Sequence, residues 1–239
     1  MLYDNYVSVN VAQYRRADYI LIIMLLQRYS LAIVVMLRKL LIADSICKYV
    51  GDLPGVEQMI IRGAYFETFA EKINDGEIVL SGIDAILIHI GTNNMALNFD
   101  PQAVLAQLGS LIRVIHRQSV TIHVIVSGIL PRLFDLKVSE RPVKEYNKML
   151  ARVCRDHRLM MIRSYNGFTS GKEPSGVKEW LYARDGLHLS DRGSYVLTQM
   201  FRVQFSDMNI IKRREIIDAE NDKKVVRNNT FNIWYGLKM

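Results

Sequence analysis

Three residue types needed to make a hydroxyl nucleophilic occur in this chain of 239 residues: Ser45, His188 and Asp185. A serine hydroxyl attacks a carbonyl at neutral pH only when an imidazole takes its proton, and the imidazole works best when a carboxylate fixes its tautomer. Ser45 closes the run Leu40-Leu41-Ile42-Ala43-Asp44-Ser45, apolar residues ending on a small residue, an acid and a serine. His188 lies in Arg184-Asp185-Gly186-Leu187-His188-Leu189-Ser190, where Asp185 precedes it by three residues on a turn. Acyl transfer also requires donors for the oxyanion. The Ser45 N–H, the N–H of Gly63 after Met59-Ile60-Ile61-Arg62, and the Asn93 amide in Ile88-His89-Ile90-Gly91-Thr92-Asn93-Asn94 make up that set. Each segment alone reads as a helix cap, a turn or a surface pair. Their joint occurrence points to acyl transfer.

The elements that must position these residues follow from the hydrophobic pattern. Short apolar runs without strict alternation occur at Leu40–Ala43, Met59–Arg62, Ala85–Ile90, Thr121–Ser127 and Met160–Arg163, as expected of strands covered on both faces. Between them, apolar residues recur at helical spacing in Phe66 to Ile73, Val104 to Ile115 and Tyr146 to Val153. Asp100-Pro101 starts the second of these helices, and Ser190 precedes a last helix through Val196, Leu197, Met200 and Phe201. Alternating strands and helices with right-handed crossovers predict a three-layer α/β/α sandwich on a flavodoxin-like, five-stranded parallel sheet. The site is then expected at the carboxyl ends of the strands.

The segments Ile42-Ala43-Asp44-Ser45, Ile61-Arg62-Gly63-Ala64, His89-Ile90-Gly91-Thr92-Asn93-Asn94 and Asp185-Gly186-Leu187-His188-Leu189-Ser190 resemble the four blocks of the SGNH hydrolases, the GDSL esterase/lipase superfamily. Ser127-Gly128-Ile129-Leu130-Pro131-Arg132 and Tyr146-Asn147-Lys148-Met149-Leu150 are similar to the segments around the fourth strand and the helix after it. The resemblance covers residues 39–205 and is strongest to the SGNH domains of animal mobile-element proteins. It implies that Ser45 is the nucleophile, His188 the base and Asp185 the residue orienting it, with Ser45, Gly63 and Asn93 forming the oxyanion hole. It further implies a serine esterase acting on small acetyl or short acyl esters, with no metal and no organic cofactor. Two positions depart from the pattern: Ala43 stands where the first block has glycine, and Asn94 where the third has aspartate. The alternative is a non-catalytic SGNH-fold module that binds a partner protein or nucleic acid.

Composition limits these readings. Half the residues are hydrophobic, which excludes a disordered chain. Of the net charge of +7, one unit falls in residues 1–37, four in 38–205 and two in 206–239. A charge so thinly spread along the sequence argues against a nucleic-acid partner. Residues 1–38 read as an apolar N-terminal extension, 39–205 as the hydrolase-like domain and 206–239 as a polar, mixed-charge tail. Residues 19–37 approach the roughly 20 residues of a membrane span but carry Arg28 at the middle. A packed helix and a membrane anchor are the two readings of that stretch. Two distant cysteines, Cys47 and Cys154, fit a reducing compartment, so a cytoplasmic protein is expected, with membrane association as the alternative. His89 reads as a core histidine and Cys154-x-x-His157 as a helix surface pair. The loop 164–184 brings Trp180 and Tyr182 close to the His188 block, as candidate walls of an acyl pocket or as packing residues.

Overall fold

The computed structural model describes residues 37–170 and 176–207. Its centre is a sheet of five parallel strands: β1 (Lys39–Ala43), β2 (Val56–Ile60), β3 (Ala85–His89), β4 (His123–Ser127) and β5 (Met160–Ile162). Their order across the sheet is β2-β1-β3-β4-β5, the expected flavodoxin-like arrangement. The connecting helices are α1 (Phe66–Asn74), α2 (Thr92–Asn98), α3 (Pro101–Gln118), α4 (Leu136–Asp156) and α5 (Ser164–Gly167). Helix α6 covers residues 191–207. Two single turns of 3₁₀ helix, Ser45–Tyr49 and Glu179–Leu181, complete the elements.

Side chains alternate across a strand, and here both sides are covered. Leu40, Ile42, Ile86, Ile88, Val124 and Val126 pack against Phe69, Leu108, Leu111, Tyr146 and Leu150 of α1, α3 and α4. Their strand neighbours Leu41, Ala43, Leu87 and Ile125 pack on the other side against Ile46, Leu181, Leu197 and Phe201. This two-sided burial explains why the central strands carry unbroken apolar runs.

Strand β2 begins three residues before the expected Met59. It is an edge strand with Glu57 and Gln58 exposed, so an apolar run does not mark it. Helix α4 begins at Leu136, well before the apolar spacing that starts at Tyr146, because its first turns bury only Ser139 and Val143 and contain Pro142. Asp100 caps α3 as expected, accepting from the N–H groups of Gln102 and Ala103, with Pro101 in the first position. All but two residues of each expected extension, 1–38 and 206–239, lie outside the described residues. Among the described residues, no helix is long and apolar enough to cross a membrane.

Helix α6 meets the 3₁₀ turn at Glu179–Leu181 through Ser190, the residue before it, and through Gly193. Ser190 Oγ accepts from the Gly193 N–H at 3.2 Å and donates to the Trp180 carbonyl at 3.0 Å. A Cβ on Gly193 would lie 1.9 Å from the Leu181 carbonyl oxygen, so only glycine permits this approach. In contrast, a Cβ on Gly109 of α3 would meet nothing nearer than Arg113 Nη1 at 3.7 Å. In urea unfolding, Gly193→Ala should therefore lose about 2 kcal/mol or more. Gly109→Ala should gain roughly 0.5–1 kcal/mol, because alanine is the better helix former. Equal effects would contradict the α6 contact.

Candidate active site

Three strand ends and one turn converge on Ser45. At the end of β1, the buried Asp44 side chain accepts from the Ile46 N–H at 2.9 Å and starts the 3₁₀ turn. Ser45 is the first residue of that turn, so its N–H has no acceptor within the helix. After β2, the chain turns at Gly63, whose φ of +71° suits glycine. After β3, Gly91 adopts φ +117° at the start of α2. A Cβ there would stand 3.0 Å from Phe66 and 3.1 Å from Ile129, so this glycine is required twice over.

The amide groups after Gly91 do different work. Asn93 Nδ2 donates to the Ala64 carbonyl at 3.0 Å, joining the β3 end to the Gly63 turn. An amide nitrogen carries two hydrogens, and the other is engaged by no group among the described residues. The neighbouring Asn94 is buried and is engaged by α1 and α3. It accepts from the Phe66 N–H at 3.2 Å and donates to Glu67 and Gln107, each at 3.0 Å. An ionised aspartate could not donate to the Glu67 carboxylate, so the asparagine at this position orders the loop in its own way.

Asp185 builds its own turn. One carboxylate oxygen accepts from the N–H groups of Leu187 and His188, both at 2.9 Å, and the other receives His188 Nδ1–H at 2.7 Å. Hydrogen bonds from Leu187 and then from His188 hold its pKa down at about 2. An ionised carboxylate only accepts, so Nδ1 carries the imidazole proton and Nε2 is left as acceptor. Ser45 Oγ lies 3.2 Å from that Nε2, across 143 residues of sequence. Ser45, Asp185 and His188 thus form one hydrogen-bonded chain. It is open to solvent, with the His188 and Asp185 side chains 38% and 51% exposed.

An ion pair absent from the sequence-derived site, the buried Arg132 with the half-buried Asp135, supports these loops. Arg132 donates from Nη1 to the Thr92 carbonyl at 2.9 Å and grips the Asp135 carboxylate with Nε and Nη2. Between them in sequence, the Phe134 N–H donates to the Gly186 carbonyl at 3.0 Å. Residues 132–135 therefore brace both the Asn93 loop and the Asp185 turn. The only sequence signal was the similarity of Ser127 to Arg132 to a known segment; nothing in it marks the arginine as a brace.

The remaining candidates occupy structural positions. His89 is buried, bonds Ser127 Oγ through Nδ1 at 2.7 Å, and meets Phe201 edge-on at 5.5 Å. Burial pushes its pKa down to about 4, so it stays neutral. Cys47 and Cys154 are buried free thiols, and burial raises the pKa of both. His157 lies on the surface beyond α4. Tyr182 packs edge-on to Phe168, while the Trp180 side chain is exposed. Among the described residues, no group of three or more histidine, cysteine or carboxylate side chains could hold a metal ion.

The family model of the GDSL-like lipase/acylhydrolase family matches residues 57–196, more than half of the chain. Ser45 precedes the matched stretch, so its place beside His188 rests on the geometry above. No curated protein matches the sequence. Among solved structures, a GDSL-like lipase from Bacteroides thetaiotaomicron is 16% identical, with a TM-score of 0.61, covering 80% of this chain and 98% of that one. A lipase/acylhydrolase from Enterococcus faecalis is 20% identical, with a TM-score of 0.56, covering 72% and 97%. The esterase domain of the ZfL2-1 ORF1 protein from a zebrafish retrotransposon is 23% identical, with a TM-score of 0.41, covering 72% and 99%. At TM-scores of 0.56 and 0.61, the first two share the fold.

Asp44 offers a test of this environment that needs no substrate. Burial pushes its pKa up to about 6, against the pull of the Ile46 N–H, His188 and Arg132. An unfolded aspartate releases its proton near 3.9. Between those values the folded state holds more protons, so the Asp44 contribution to stability falls as pH rises through that window. Relative to wild type, Asp44→Asn should therefore gain up to about 3 kcal/mol in urea unfolding between pH 4 and pH 8. An identical pH dependence for both proteins would contradict a buried, ionising Asp44.

Proposed function

The chain belongs to the GDSL-like lipase/acylhydrolase family, and on that premise we propose that it is a serine ester hydrolase acting on small acyl esters. The observation that carries this reading is the continuous chain from Asp185 through His188 to Ser45, at 2.7 Å and 3.2 Å. In this mechanism His188 Nε2 takes the proton as Ser45 Oγ attacks the ester carbonyl. Negative charge then develops on the carbonyl oxygen, and the N–H groups of Ser45 and Gly63 and the Asn93 amide are its donors. Collapse of the tetrahedral intermediate breaks the bond to the alcohol, which leaves with the proton from His188. Water, deprotonated by the same imidazole, attacks the acyl-Ser45 ester, and as the acyl–Oγ bond breaks to release the acid the imidazolium returns the proton to Ser45 Oγ. No step draws on a metal or an organic cofactor.

We take acetyl or short acyl groups as the substrate class, since no stretch of the sequence announces a long hydrophobic acyl tunnel. Asp185 keeps its charge throughout, because its hydrogen bonds hold its pKa near 2, and so stabilises the imidazolium that forms. Asn at that position would keep an acceptor for the two backbone N–H groups but allow the wrong histidine tautomer.

Hydrolysis of an aryl acetate tests the proposal. Ser45→Ala and His188→Ala should each lower kcat by roughly 10³-fold or more. Asp185→Asn should lower it on the order of 10²–10⁴-fold with little change in KM. Unchanged turnover in Ser45→Ala or His188→Ala would overturn the mechanism and favour a binding module with this fold.

A further inference from the structure

The positive charge that is thin along the sequence is gathered on one face of α4. Lys137, Arg141, Lys144, Lys148, Arg152 and Arg155 follow one another at steps of three or four residues. At 100° per residue they fall within an arc of about 80° and run for about 27 Å. All are exposed except Lys144, which is half-buried. Glu140, Glu145 and Asp156 flank this row on either side of the arc, and the opposite face of the helix, with Val143, Tyr146 and Leu150, is buried in the core.

Alongside the row lies a cleft of about 650 Å³ between α4 and the end of β5. Lys144, Lys148, Arg152, Arg155 and Arg163 line it, together with the apolar surfaces of Met161 and Tyr165, and no acidic residue does. Lys144 is bonded to Glu140 at 2.8 Å and Arg155 pairs with Asp156 at 3.5 Å. Lys148, Arg152 and Arg163 have no ion-pair partner among the described residues.

We propose that this face of α4 and its cleft bind the phosphodiester backbone of a single-stranded nucleic acid. A row of cations tracks a polyanion, and an adjoining cleft with apolar walls suits unstacked bases. A duplex fits less well, since its backbones wind away from a straight row and its bases are already stacked. An anionic membrane also fits less well: an interfacial helix inserts an apolar face, and that of α4 is already packed in the core. Binding would be independent of base sequence and of the esterase reaction, because none of these residues touches the triad.

The test is fluorescence anisotropy of the full chain with fluorescein-labelled dT20 and U20 oligonucleotides at 50–200 mM NaCl. The wild type should bind, with log K falling linearly against log salt. Lys148→Gln/Arg152→Gln/Arg163→Gln should weaken binding at least tenfold and reduce the salt slope by about 2, at roughly 0.7 for each phosphate no longer neutralised. Lys72→Gln/Arg113→Gln/Arg117→Gln, which removes the same charge from α1 and α3, should bind within about threefold of wild type, its loss being only a long-range charge effect. The charge-preserving Lys148→Arg/Arg152→Lys/Arg163→Lys should keep wild-type affinity, which separates lost charge from lost folding. The proposal is overturned if neither oligonucleotide binds at 50 mM salt, or if both Gln triples weaken binding equally. It is also overturned if phosphatidylserine vesicles bind through these residues while the oligonucleotides do not.

Discussion

A hydroxyl and an imidazole separated by 143 residues must meet at hydrogen-bond distance, and most of the fold serves that meeting. Ser45 follows a central strand, whereas His188 arrives on a turn that crosses to it from the far end of the chain. The turn is fixed on three sides. Asp185 closes it internally, the Phe134 N–H holds its Gly186 carbonyl, and α6 anchors its exit through Ser190 and Gly193. A loose packing of α6 against Leu181 would therefore be felt at Nε2, although no residue of α6 belongs to the triad.

Two carboxylates sit around one imidazole in opposite environments. Asp185 is half exposed and saturated with hydrogen bonds, so it remains charged even in acid. Asp44 is buried, so its charge is opposed by desolvation and its pKa lies at about 6. The contrast divides their work: one orients the His188 imidazole, and the other shapes the turn that carries Ser45. The parallel sheet makes both possible, since its strands all end on one side and deliver Asp44, Gly63 and Asn93 to the same region.

The sequence revealed the parts of the site that chemistry makes distinctive. Serine after an apolar run, Asp-x-x-His before a helix, and Gly or Asn after strands are each common, and their combination singled out Ser45, Asp185 and His188, which the structure joins by hydrogen bonds. The parallel, three-layer architecture was legible for the same reason, because alternation of buried strands and amphipathic helices admits few topologies. Strand β2 was misplaced because an edge strand with exposed Glu57 and Gln58 leaves no apolar run. Arg132 and Asp135 were overlooked because an ion pair three residues apart looks like any surface pair in sequence, whatever the burial of its arginine. The row on α4 was hidden by counting charge along the chain, where Glu140, Glu145 and Asp156 dilute it; on the helix those acids stand at the edges of the row, Glu140 bonded to Lys144.

The central claim is that Ser45 is a nucleophile activated by His188. Labelling with a fluorophosphonate, followed by peptide mapping, tests it directly, because the reagent marks a serine only where a base has activated it. The mechanism predicts one labelled peptide containing Ser45 in the wild type, and labelling of that peptide lost in His188→Ala. Label on a different serine, or equal labelling of Ser45 in both proteins, would contradict it.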